Sequence, residues 1–335
     1  MMNATIQNIT NQDLMGIVIR EYLNLDAWDI TVGIVAPMLI FLIANILNIA
    51  LLVIIIKSRV PKYNFNRKIL LLRITCDLAL VWTIIPLSIF TRAYKSWIFG
   101  LLACQLHRYV INFITCLSIY SLVTISVNRC SAVNHRSLSL INSDKTISLT
   151  PSTRQAQIIT FLAIGLSATA AIPAAVLGKI QLYHEYSFCI DKETKVFVLI
   201  YEIFLAFFIF IVPMFIICHS NISVTFQLKK SQNFIGFERN LSNSFIRKRQ
   251  RLIRLFFWMA IIFVISWFPN NVINILRAQR DLDKRIIDSV LLLSETNSVT
   301  NSAFLLMTCS TYRKSIFALS RKLSTKKSSN TSVGP

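Results

Sequence analysis

Asp77 sits inside the apolar run LLRITCDLAL, 71–80. A carboxylate carried into hydrocarbon is costly unless a cation, hydrogen bonds or protonation relieve it, so it marks a functional position. Other polar side chains recur in the middle of apolar runs: Asn45, Ser118, Asn297, Ser298 and Asn301. One carboxylate with several neutral oxygens suits a hard monovalent cation. A protonated Asp77 in a hydrogen-bonded network would use the same atoms, and both readings stand. A second isolated charge is Arg129, in ISVNRCSAV at 125–133, flanked by Asn128 and Cys130. No nucleophile–base pair or metal motif accompanies these residues, and His107, His135, His184 and His219 are scattered, so the sequence does not read as an enzyme.

The elements that must position them are membrane helices. The chain has 335 residues, 54% of them hydrophobic and only 15% charged, which is the composition of a polytopic membrane protein. Seven stretches reach the about 20 residues needed for a crossing: near 30–57, 69–92, 103–128, 156–177, 196–219, 255–276 and 286–309. Spans 3 and 5 to 7 are too long for barrel strands and lack strand alternation. Pro37, Pro86, Pro173, Pro213 and Pro269 fall within them, as membrane helices tolerate. The expected fold is all-α: an amino-terminal segment at 1–29, a seven-transmembrane helix bundle at 30–309, a short amphipathic surface helix at 310–323 and a disordered tail at 324–335.

Orientation follows from the loops. One set carries Lys57, Arg59, Lys62, Arg67 and Lys68, then Arg136, Lys145 and Arg154, then the run RKRQRLIR at 247–254, and the tail shares that side. Basic loops face the cytoplasm, which places the amino terminus outside a plasma membrane. The net charge of +20 is then a topology signal and an attraction to anionic lipids; no aromatic-interleaved basic patch suggests nucleic acid. No apolar signal core precedes the first span, so that span is expected to act as an uncleaved anchor. Asn3 and Asn8 open acceptor tripeptides for glycosylation in the external segment. Of seven cysteines, Cys104 and Cys189 alone fall on the oxidising side, so they are the expected disulfide.

Arg129 lies 25 residues beyond Cys104, roughly 38 Å along a helix, and so sits at the inner mouth of the bundle. Alone it reads as an arginine snorkelling to lipid phosphates. Together with Asp77, with WIFG at 97–100 before Cys104, with Pro213, with Phe263 and SWFP at 266–269, and with NSVTNSAFLL at 297–306, it makes the chain resemble rhodopsin-like G-protein-coupled receptors. The resemblance spans residues 30–323 and includes Ala44-Asn45, where the family has Gly-Asn, and TYRKSIFALSRKL at 311–323, its surface helix.

That resemblance implies that Asp77, Ser118, Asn297, Ser298 and Asn301 surround a sodium ion and waters, with no other cofactor. It implies that Arg129, with Asn128 beside it and Arg251 and Arg254 on span 6, couples to a heterotrimeric G protein as span 6 tilts outward, hinged near Pro269. Phosphorylation of the hydroxyl-rich tail could then recruit an arrestin. The ligand pocket would be built from Arg108, Ile111, Asn112, Thr115, Glu202, Trp267, Asn270, Asn271, Asn274, Arg277, Leu291 and Glu295. Ile111 stands where amine receptors have an aspartate, and Glu295 where opsins have lysine, so the resemblance argues against monoamine and retinal chemistry. Both charge signs and several amides suit a peptide, such as a neuropeptide, better than a lipid.

The chain departs from the family's pattern. Asp-Arg-Tyr becomes Asn128-Arg129-Cys130, which removes the charge that restrains the arginine at rest and implies raised basal signalling. Asn-Pro-x-x-Tyr becomes Asn301-Ser302-Ala303-Phe304-Leu305, Asn221 replaces a tyrosine of span 5, and span 4 lacks its tryptophan. A chemosensory or constitutively active member of the same superfamily fits these losses. A transporter or channel would also bury Asp77, although the paired repeats usual for that class are absent from the sequence.

Overall fold

The computed structural model describes residues 27–57, 65–94, 96–141, 153–183, 186–191, 195–234, 239–277 and 282–308. Asn3 and Asn8, the surface helix expected at 310–323 and the tail at 324–335 lie outside the described residues. The first crossing, α1, comprises Ala27–Ile30, a π-helical turn Thr31–Val35 and Ala36–Lys57. Helix α2 is Phe65–Ala93, α3 is Gly100–Ile141 and α4 is Thr153–Leu177. A hairpin of β1 (Gly178–Tyr183) and β2 (Tyr186–Asp191) follows. Helix α5 comprises Lys195–Ala206, a second π-helical turn Phe207–Ile211 and Val212–Phe234; α6 is Arg239–Arg277. The seventh crossing, α7, has two halves, Lys284–Glu295 and Asn297–Thr308.

Both π turns have a cause in the sequence. A prolyl ring clashes with the carbonyl four residues back. For Pro37 and Pro213 those carbonyls belong to Gly33 and Ile209, each inside a π turn, where the widened backbone makes room. The second turn also presents the Phe208 carbonyl to the hydroxyl of Tyr120 on α3, at 3.0 Å.

Six of the crossings are helices long and apolar enough to span a membrane; the seventh is divided at Thr296. Hydroxyls compete for the backbone there: Ser294 Oγ donates to the Val290 carbonyl at 3.0 Å, and Thr296 Oγ1 to the Leu293 carbonyl at 2.6 Å. Such back-bonding distorts helices. Large apolar side chains such as Phe161, Leu162 and Phe215 project outward at 73%, 66% and 72% exposure, as in a protein solvated by lipid.

Helix α3 is the axis of the bundle. It packs on α2, α4, α5 and α6, and 72% of its apolar stretch is buried, against 22% for α4. Its first residue, Gly100, has φ +79°, which only glycine adopts readily, and the Gly100 carbonyl accepts from the indole of Trp97 at 2.9 Å. Cys104 on α3 is bonded to Cys189 on β2 with Cα atoms 5.6 Å apart, as expected from the compartment argument. The hairpin is a small β addition to an otherwise helical chain among the described residues, with Cys189 opposite Ile180 in register. Gly178 lets it approach α3 closely, since a Cβ there would stand 3.2 Å from the Gln105 Cα. At the same end of the bundle, Lys284 at the start of α7 donates to Asp29 of α1 at 2.7 Å.

Candidate functional site

Asp77 is 1% exposed at the bundle centre. One turn earlier on α2, Arg73 is fully buried and its Nε lies 3.9 Å from the Asp77 carboxylate. Because Cβ atoms tilt toward a helix's amino terminus, a side chain at i+4 leans over the turn that holds residue i. The Arg73 guanidinium also donates to the backbone carbonyl of Ser118 on α3. From α7, Asn301 Nδ2 stands 3.4 and 3.5 Å from the two Asp77 oxygens. Asp77 and Asn301 thus meet, Ser118 joins them through its backbone carbonyl and Arg73, and Ser298 and Asn297 are buried one turn before Asn301. The oxygen donors suit a hard cation, but the positive charge beside the carboxylate belongs to the chain itself. A resident metal cation does not fit this arrangement. Arg73 went unnoticed in the sequence, although its spacing of four before Asp77 inside one apolar run was a legible signal.

The centre of α1 also differs from expectation. Asn48, not Asn45, enters the bundle: its Nδ2 donates to the Ser298 carbonyl at 3.0 Å, and its Oδ1 accepts from Ser302 Oγ at 2.5 Å. Asn45 turns outward, bonding the Phe41 carbonyl at 2.8 Å and accepting from the Trp82 indole at 3.0 Å. Three residues rotate a helix by about 300°, enough to exchange a core face for a flank. Ser302, standing where the family's proline would be, thus ties α7 to α1.

Toward the disulfide end lies a second charged group. Glu295 accepts from Ser88 Oγ at 2.8 Å and lies 3.6 Å from Arg92, whose Nε is 3.4 Å from Asp288. All three side chains are buried, with one guanidinium between two carboxyl groups. The Arg92 stem packs beside Gly33 in the first π turn, where a Cβ would meet it at 3.6 Å. Neither Arg92 nor Asp288 was among the candidates, because loop-flanking charges near helix ends read as rim residues. On the far side, buried Glu202 accepts from Asn271 Nδ2 at 3.1 Å.

A small cavity connects Trp267 of α6 with Leu291, Ser294, Glu295 and Ser298 of α7 and Leu80, Ile84 and Ile85 of α2. Three expected pocket residues, Trp267, Leu291 and Glu295, meet there. The others are more dispersed. Asn112 donates to the Arg108 carbonyl of its own helix at 2.9 Å, and Thr115 is buried on α3. Ile111, Arg108, Asn270 and Asn274 are half-buried, and Arg277 is exposed on the last turn of α6.

At the opposite end, Asn128 is buried and the Arg129 guanidinium lies over the Phe256 ring of α6, 5.1 Å from its centre. Arg251 and Arg254 are exposed on the same helix, five and two residues before Phe256.

The family model described as "7 transmembrane receptor (rhodopsin family)" matches residues 47–304. The chain belongs to this family. Among its relatives, the receptor is 24% identical over 310 residues to a QRFP-like peptide receptor of Branchiostoma floridae, covering 87% of this chain and 78% of that one. It is 24% identical to galanin receptor type 1 of Mus musculus, over 71% of this chain and 65% of the relative. Against free fatty acid receptor 4 of Rattus norvegicus it is 26% identical, over 69% and 64% respectively. In this receptor the central polar cluster, the cavity and the Arg129 contact lie along one bundle, with α3 and α6 reaching both ends.

Proposed function

We propose that this receptor binds an extracellular peptide carrying a cationic group at the disulfide end of its bundle and activates a heterotrimeric G protein by moving α6 away from Arg129. The observation that carries the reading is the 5.1 Å contact of Arg129 with Phe256, because it joins α3 to the helix that must move. Trp267, which lines the cavity, lies 11 residues from Phe256 on the same helix, roughly 16 Å along it. A ligand group pressing on Trp267 therefore acts on the helix that holds the Arg129 contact. Glu295, whose carboxyl group lines the cavity, offers a cationic ligand group a hydrogen-bonding partner there. Two of the three relatives are named for peptides, which supports that class over a fatty acid.

The basic loops support a cytoplasmic Arg129 end, and a receptor role supports the plasma membrane; there Arg251 and Arg254 would meet the G protein or anionic lipid. An arrestin would engage the phosphorylated tail. The test is G-protein activation in cells expressing the chain, scored without ligand, against cationic amidated peptides and against fatty acids, with Arg129→Ala as control. A peptide response abolished by Arg129→Ala is expected. A response to fatty acids alone would overturn the ligand class, and ion flux without G-protein activation would point to a channel.

A further inference from the structure

We propose that Arg73 is a tethered counter-ion: it takes the place of a metal cation beside Asp77, so that the polar centre of this receptor is held by the chain's own guanidinium and does not respond to sodium. Three observations carry this. Arg73 Nε is 3.9 Å from the Asp77 carboxylate with both side chains 1% exposed. The same guanidinium is anchored on α3 through the Ser118 carbonyl. Asp77 reaches α7 through Asn301 at 3.4 Å, so the pair joins α2, α3 and α7 at one point.

The charge balance is the argument. A buried carboxylate needs one positive charge, and Arg73 supplies it at a fixed position without the cost of capturing an ion from water. A sodium ion added to this pair would leave one uncompensated positive charge in a medium of low dielectric and would be repelled by the guanidinium. Arginine does not lose its proton in proteins, so the tether cannot be switched off by neutralising it. Asn48 and Ser302 add an uncharged link from α1 to α7 beside it, through bonds of 3.0 Å to Ser298 and 2.5 Å to Ser302. The polar centre is thereby tied to four crossings with no diffusible ion.

The experiment uses the purified full-length receptor and reads its melting temperature in sodium chloride and in choline chloride at one ionic strength. No ligand is involved, so the outcome is independent of the peptide reading. The wild type is expected to melt at the same temperature in both salts. Arg73→Leu is expected to gain a saturable, sodium-specific rise of about 4 °C or more, which adding Asp77→Asn removes. A sodium-specific rise in the wild type that Asp77→Asn abolishes would overturn the proposal. Should Arg73→Leu fail to fold, the second comparison is between Asp77→Leu alone and Arg73→Leu with Asp77→Leu. The paired variant is expected to melt higher than the single one, because the single change strands a buried guanidinium. A paired variant that melts no higher than Asp77→Leu would also overturn it.

Discussion

The guanidinium of Arg129, which follows Asn128 and not an acidic residue in the chain, lies over the face of Phe256, 5.1 Å from the ring centre, and so bridges α3 to α6. A cation over an aromatic face is stabilised by about 0.5–2 kcal/mol, depending on desolvation. Phe256→Leu keeps an apolar side chain and deletes the ring quadrupole. Basal second-messenger production is expected to rise roughly 2- to 5-fold at comparable surface expression, following from about 0.5–1 kcal/mol of lost restraint. Basal output equal to that of the wild type would show that the contact does not hold α6.

Asn128 is buried beside this arginine and can accept a hydrogen bond but brings no charge. Restoring the charge with Asn128→Asp should strengthen the restraint, since a charge-assisted bond is about twice as strong as a neutral one. Lower basal signalling than wild type is the expected result in the same cell assay. If wild type, Asn128→Asp and empty vector give one basal level, the asparagine does not set the resting activity.

Glu295 reaches the cavity with one oxygen bonded to Ser88 at 2.8 Å. Glu295→Gln preserves shape and an acceptor for Ser88 while removing the charge. For a cationic agonist the half-maximal concentration should increase about 10- to 100-fold, the loss of a hydrogen bond to a charged group. An unchanged dose response would remove Glu295 from the ligand site.

Arg92 stands between Asp288 and Glu295, and truncating it leaves two buried carboxylates without their cation. Arg92→Met should therefore cost about 3–5 kcal/mol of stability, read as a lower melting temperature of the purified receptor. Adding Glu295→Gln to Arg92→Met should recover part of the loss. Equal melting of Arg92→Met and wild type would contradict the ion-pair assignment.

The two asparagines of α1 separate cleanly by experiment. Asn48→Ala removes the buried acceptor of the Ser302 hydroxyl and the side-chain donor to the Ser298 carbonyl, and should cost about 1–3 kcal/mol. Asn45→Ala removes only flank contacts to Phe41 and Trp82, so a loss below about 1 kcal/mol is expected. Melting curves of the two variants that reverse this order would restore Asn45 to the centre.

The residues legible in the sequence were those whose chemistry conflicts with their surroundings. Asp77 in an apolar run and Arg129 at the end of another announced themselves because charge in hydrocarbon is costly wherever the helix faces. Cys104 and Cys189 were found from compartment alone, and their bond is present. The choice between Asn45 and Asn48 was not legible, because span 1 is apolar all round and its periodicity does not say which face turns inward. Arg92 was passed over for a related reason, whereas Arg73 was legible from its spacing of four before Asp77. Each basic residue near a span end reads as a membrane-surface anchor until its partner is known, and those partners come from another turn or another helix.

The sequence by itself determined that helices cross a membrane and which stretches do so, since length and hydropathy are local properties and the bilayer imposes them on any chain. Only the tertiary structure decided that Arg73 is anchored on Ser118, that Arg92 divides itself between Asp288 and Glu295, and that Arg129 rests on Phe256. Those pairings depend on how each helix is rotated and how deep it sits against its neighbours. Rotation and depth are settled by packing between residues far apart in the chain, which no local pattern encodes.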